Sequence, residues 1–289
     1  MTDDTKKPFN LNMHTARLLM REPFFAALSR RIDKIASTAI PTAGVRVNPD
    51  SAQFELIYNP EFFEQLSDSH KQGVLMHEFY HLIFEHVTNR KPVDGLKRID
   101  NIAMDLSINC HISNMLPSES DPGPVIGKEA MKACIPGEGM FKDLPPYMSY
   151  EWYLEALKKM GEDDEAGDGE GSGEPFDGMD SLDDHDGFGE VDGTTQDIAS
   201  ERMKEAIKKA AEEAEKSRNW GTVSSAMRSD ILERIQTKID WRKVLRYFVK
   251  TSQRADKRST PRRLNKRYPR IHPGKRVRRH ASIAISIDQ

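Results

Sequence analysis

The sequence predicts a predominantly helical α+β fold, on three observations. Apolar residues recur at helical spacing through most of the chain. Two short segments of alternating polarity, residues 44–48 and 53–58, read as strands, with Asn48-Pro49-Asp50-Ser51 as the turn between them. Close behind them comes an apolar helical segment that contains His77-Glu78-Phe79-Tyr80-His81.

The bulk composition bounds what surrounds these elements. The 289 residues suffice for one large domain or two modest ones. Hydrophobic residues are 37% of the chain and charged residues 31%, so long solvated segments should accompany a core of ordinary size. No stretch approaches eighteen apolar residues, and the polar residues 1–10 lack the apolar centre of a signal peptide. Neither a membrane span nor secretion by the usual signal is indicated. Cys110 and Cys134 lack metal-finger spacing and read as free thiols in a reducing compartment, which implies a cytoplasmic protein.

Taken in order, residues 14–38 read as a helix, with Phe24, Phe25, Leu28, Ile32 and Ile35 on its apolar side and a kink at Pro23. After the two strands, a helix capped by Asp68 or Ser69 should run to about Thr88, with Val74, Leu75, Leu82 and Ile83 buried. Another helix is expected over residues 98–113. Residues 116–146, rich in Pro and Gly, read as a long loop able to form a cleft wall. A short helix over 149–160 should turn Trp152, Tyr153, Leu154 and Leu157 inward. Residues 161–193 are dense in Asp, Glu and Gly and contain no Lys or Arg, the composition of a disordered acidic insert. Helices are expected at 195–216 and 224–238, with a third beginning at Asp240. Basic residues dominate from Arg242 to Arg279, and residues 281–289 alternate like a strand. The basic run carries no aromatic stacking pattern, so nucleic acid is not the expected partner.

The chemistry sits on the helix around His77. Residues four apart on an α-helix lie about 40° apart around the axis and about 6 Å apart along it. His77 and His81 can therefore present two imidazole nitrogens to one Zn²⁺, with Glu78 beside it as a general base for water. The extended form of this motif would need a glycine three residues past His81 and a histidine three further on, where this chain has Phe84 and Val87. His86, about 140° around a continuing helix, should point away. The third ligand is therefore sought on the next helix, where Asp105 lies in the otherwise apolar run Ile102-Ala103-Met104-Asp105-Leu106. A carboxylate buried there is costly unless its charge is compensated, and a metal ion would do so. Asn109, four residues on, could hydrogen-bond a ligating histidine. Asp100, His111, Glu119 and Glu129 are weaker ligand candidates. Tyr80, Tyr147 and Tyr150 are unranked candidates for stabilising an oxyanion.

Two strands followed by such a helix is an order that zinc-dependent peptidases use, and their edge strand can pair with an extended peptide. Pro23-Phe24-Phe25, Asn59-Pro60-Glu61-Phe62, the His77 to His81 motif, Asn101-Ile102-Ala103-Met104-Asp105 with Asn109, Tyr150-Glu151-Trp152-Tyr153, Asp240-Trp241-Arg242 and Arg262-Arg263 are shared with a known group. Through them the chain resembles the bacterial and phage metallopeptidase family that carries a C-terminal von Willebrand factor type A-like domain. The resemblance implies a zincin-like core, a Zn²⁺ cofactor, a protein or peptide substrate, and a link with AAA+ ATPases of the MoxR group. In that family the closing strand leads into Asp-x-Ser-x-Ser. Here Asp288 matches the first position and only Gln289 follows it, so a truncated type A-like domain is expected.

The resulting expectation divides the chain four ways. Residues 1–160 form the metallopeptidase domain, 161–194 the acidic insert, 195–255 helices packed on the core, and 256–289 the basic segment with the first type A-like strand. The activity expected is zinc-dependent peptide-bond hydrolysis, with His77, His81 and Asp105 as ligands and Glu78 as base. The alternative is an adaptor or co-chaperone for a MoxR-type ATPase, with a structural zinc.

Overall fold

The computed structural model describes residues 9, 11–12, 20–92, 96–126, 129–165, 193–235, 254–265 and 272–280. Among them are seven α-helices and a small mixed sheet, an α+β arrangement that is mostly helical. The chain forms two compact units, Met1–Ile235 and Gln236–Gln289. The expected helix from Asp240, the acidic segment beyond Glu165 and the closing strand at 281–289 lie outside the described residues.

In the first unit, α1 (Pro23–Ser29) starts at a proline, whose fixed φ suits a first turn. It buries Phe24, Phe25, Ala26, Ala27 and Leu28. The helix expected to continue to residue 38 ends there. Its second half is instead strand β1 (Asp33–Ala36), which pairs in parallel with β3 (Phe54–Tyr58). This short edge strand is mostly exposed, so its sequence carries no alternation to reveal it. The expected hairpin is present as β2 (Ala43–Val47) and β3, antiparallel with Val45 opposite Leu56. Asn48 closes the turn by accepting the Asp50 and Ser51 amides at 2.9 and 3.1 Å. β3 is the central strand, giving the order β1-β3-β2.

Helix α2 (Pro60–Gln65) is capped by Asn59, which accepts the Glu61 amide at 3.0 Å. Helix α3 (Asp68–Ile83) is capped one residue earlier than expected, by Ser67 accepting the His70 amide at 3.1 Å. From Gly73 to Ile83 every residue of α3 is buried. Such a helix is enclosed on all sides rather than amphipathic. Gly73 permits this: a Cβ there would lie 2.0 Å from the Met115 carbonyl oxygen. Helix α4 (Arg98–Asn109) starts with the Lys97 amide donating to Asp100 Oδ2 at 3.0 Å and ends four residues before the expected boundary.

Residues 116–146 are largely loop, with a two-stranded ribbon, β4 (Val125–Ile126) and β5 (Glu129–Ala130), that the sequence reading did not include. Helix α5 (Tyr150–Glu165) packs on α4, with Tyr153 and Leu157 buried, while Trp152 is 39% exposed rather than inward. Helix α6 (Gly193–Ser217) buries Met203, Ile207, Ala210 and Ala214 and packs on α1. Behind α1, Phe24 stacks on Trp220 with ring centroids 5.2 Å apart. Helix α7 (Ser225–Ile235) buries Met227 and Ile231. The second unit contains an antiparallel ribbon, β6 (Arg254–Leu264) and β7 (Pro273–His280), where the sequence suggested only a basic segment. Its long-range pairing, not local alternation, makes the strands.

Candidate metal centre

The site is built where α3 crosses α4. On α3, His77 and His81 lie one turn apart, and their Nε2 atoms are 3.1 Å from each other. On α4, Asp105 brings Oδ1 to 3.5 Å from each of those nitrogens. Donor atoms held 2.0–2.2 Å from one tetrahedral centre are spaced by about 3.3–3.6 Å. The three atoms thus already describe one face of such a shell. All three side chains are 0% exposed. A carboxylate so deeply buried between two imidazoles would be stabilised by a divalent cation, which would offset the cost of burying its charge. The residues present fit a metal ion. Among the described residues, no other His, Cys, Asp or Glu joins this trio at ligand spacing.

Hydrogen bonds behind the trio set its orientation. Asn109 Oδ1 lies 2.7 Å from His77 Nδ1. With Nδ1–H donating to that amide oxygen, the Nε2 lone pair faces the other two ligands. Asn109 is itself fixed, its Nδ2 donating to the Cys134 carbonyl at 2.9 Å. The loop over α4 is thereby tied to the ligand set, a role for Cys134 that the sequence reading missed. Burial pushes the Cys134 thiol well above its usual range, and the Asp105 charge pushes it further. Cys110 and Cys134 are both free.

His86 is a core histidine outside the trio, as expected, but it lies closer to His81 than a continuing helix would put it. Helix α3 stops at Ile83, Glu85 takes a left-handed φ of 62°, and the His86 amide bonds back to the His81 carbonyl at 2.9 Å. This reversal closes the helix end. It also swings the His86 ring inward, with Nδ1 3.2 Å from His81 Nδ1 and no exposed surface. The expectation assumed that the helix continued, and a left-handed glutamate gives no sequence warning of the stop.

Glu78, next to His77 on α3, is also 0% exposed. The weaker ligand candidates lie elsewhere. Asp100 caps α4 and accepts the Tyr150 hydroxyl at 3.0 Å. His111 stacks on Tyr80 with centroids 5.6 Å apart. Glu129 is part of the β4–β5 ribbon, and Glu119 Oε1 lies near Gly139. Of the tyrosines considered for an oxyanion, Tyr80 and Tyr150 are buried and Tyr147 is exposed. Burial holds the Tyr80 and Tyr150 hydroxyls protonated far above neutral pH.

Comparison with known proteins agrees with this chemistry. A protein of Thermotoga maritima described as uncharacterized is 28% identical over 244 residues, covering 81% of this chain. The match spans 56% of that relative's own length. No solved structure matches the chain. No helix among the described residues is long and apolar enough to cross a membrane. The family described as "Putative metallopeptidase domain" matches residues 6–280, and the chain belongs to it.

Proposed function

We propose that the protein is a zinc-dependent peptidase whose centre is held by His77, His81 and Asp105, with Glu78 as general base. The observation that carries this reading is the trio of buried donor atoms spaced 3.1–3.5 Å apart, two of them on the helix that also bears Glu78. Three protein ligands, rather than four, suit a catalytic centre with a position left for water or substrate. Two imidazoles and one carboxylate also suit iron. The glutamate next to the first histidine favours zinc and hydrolysis, because it supplies the base that hydrolysis needs.

Bound there, Zn²⁺ supplies a Lewis acid that lowers the pKa of a water to about 7 and polarises a carbonyl. The chain's own groups do the rest. Asn109 holds His77 in the tautomer that leaves Nε2 free to ligate, and His86 sets the plane of the His81 ring. Glu78 accepts the proton of the attacking water and returns it to the leaving amine nitrogen.

A second reading is favoured by one observation, the complete burial of all four residues. A closed metal centre also suits a structural ion in an adaptor for a MoxR-type ATPase. Glu78→Gln separates the two. For the peptidase, the purified variant keeps about one zinc per chain and loses roughly 10²–10⁴ in the rate of cleaving a denatured protein substrate. Undiminished cleavage by that variant eliminates Glu78 as the base. A wild-type protein that holds zinc but cleaves nothing supports the adaptor.

A further inference from the structure

Beside the metal centre, and not lined by any of its ligands, lies a cavity of about 520 Å³. Its size and mixed lining are those of a small-ligand or side-chain site. The floor is aromatic. The His111 ring lies between Tyr80 and Tyr147, 5.6 and 5.2 Å away, and meets Phe84 at 5.9 Å. Burial pushes the His111 pKa down to about 4 against the opposing pull of Asp230, so this floor is uncharged at neutral pH.

The mouth is unusual for a protein surface. Tyr147 is 67% exposed with a φ of 62°, and Met148 beside it is 38% exposed. A bulky residue adopts that backbone region only at a cost, and such strain gathers at binding and switch sites. Two arginines line the same cavity. Arg234 lies 5.4 Å over the Phe84 ring and bonds Asp230 at 2.9 Å. Arg90 reaches Glu151 at 3.3 Å, with the Glu151 side chain 56% exposed. Both are surface pairs of little net stability, so an incoming anion can replace either carboxylate at small cost. Asp230 is the one acid in the lining and Glu151 stands just outside it, so an entering carboxylate gains a guanidinium by displacing one of these two acids.

We propose that this cavity is a recognition pocket for a peptide residue with an aromatic side chain next to a carboxylate. The ring packs on the floor formed by His111, Tyr147 and Phe84, and the carboxylate takes Arg90 or Arg234 in a paired hydrogen bond. That the occupant is a peptide rests on the peptidase reading. The pocket's shape and charge do not. Two rings stand between the cavity and the ligand His81: Tyr150 lines the cavity, its ring is 5.7 Å from that of His86, and His86 Nδ1 is 3.2 Å from His81 Nδ1.

The test is calorimetric titration of the full-length protein, zinc-loaded and zinc-free, with three probes. These are N-acetylphenylalanine, its amide, and N-acetyl-aspartyl-phenylalanine amide. The first and third differ in whether the carboxylate comes from a chain end or a side chain. At least one of them should bind ten-fold or more tighter than the amide, with or without zinc. Arg90→Gln or Arg234→Gln should reduce that advantage to within about two-fold. Ala226→Trp, at an exposed lining position, and Tyr147→Gly, which also relieves the backbone, should each weaken the better probe at least ten-fold while leaving the melting temperature near wild type. Equal binding of acid and amide, or binding indifferent to both of these variants, overturns the pocket. Probe binding by a protein that cleaves nothing would instead sink the peptidase reading and leave the pocket standing.

Discussion

At the scale of single residues, how each candidate ligand is held matters as much as which residues could ligate. Asn109 bridges His77 and the Cys134 carbonyl, so its removal should loosen the site without removing a ligand. Asn109→Ala is expected to weaken zinc affinity by about 10–100-fold in a chelator competition, with the fold kept. His111 makes a separate, pH-dependent contribution. Its folded pKa of about 4 lies below the ordinary value near 6.5. The unfolded chain therefore binds a proton that the folded one refuses, and stability falls as pH drops from about 6.5 towards 4. His111→Gln should remove up to about 3 kcal/mol of that loss, measured by denaturant titration against wild type at the same zinc loading. The motif residues were legible in the sequence because they are contiguous, and Asp105 and Asn109 because α4 places them on one face. His86 was not legible, since its position depends on a helix stop made by Glu85 rather than by glycine.

At the scale of elements, the hairpin and the cores of α3, α4, α5, α6 and α7 followed from local patterning. Strand β1 did not, because its partner among the described residues is β3, about twenty residues on, and Ile35 there continues the helical spacing of Ile32. The β4–β5 and β6–β7 ribbons escaped for the same reason: pairing across a loop defines them, and neither alternates cleanly. The burial of α3 on every side explains why its apolar stripe looked narrow in sequence. The histidines, the glutamate and the tyrosine occupy the remaining faces, and the neighbouring elements enclose them all. Gly73 is where that enclosure is tightest. Gly73→Ala should cost about 1–3 kcal/mol through the clash with Met115, despite alanine's better helix propensity, and thermal unfolding will show it.

At the scale of the whole molecule, every residue assigned to the centre and to the cavity belongs to the unit Met1–Ile235. The packing of α6 on α1, across a long segment of sequence, makes the C-terminal helices of this unit part of the body that holds the site. Expressed alone, residues 1–235 should fold cooperatively and bind zinc within about three-fold of the full chain, as measured by calorimetry. The central claim, that His77, His81 and Asp105 together hold one zinc ion, is tested most directly by crystallising the protein and recording an anomalous-scattering map at the zinc edge. The expected result is a single peak at bonding distance from His77 Nε2, His81 Nε2 and Asp105 Oδ1. The claim is contradicted if zinc-supplied crystals show no peak there, or place the ion on a different set of side chains.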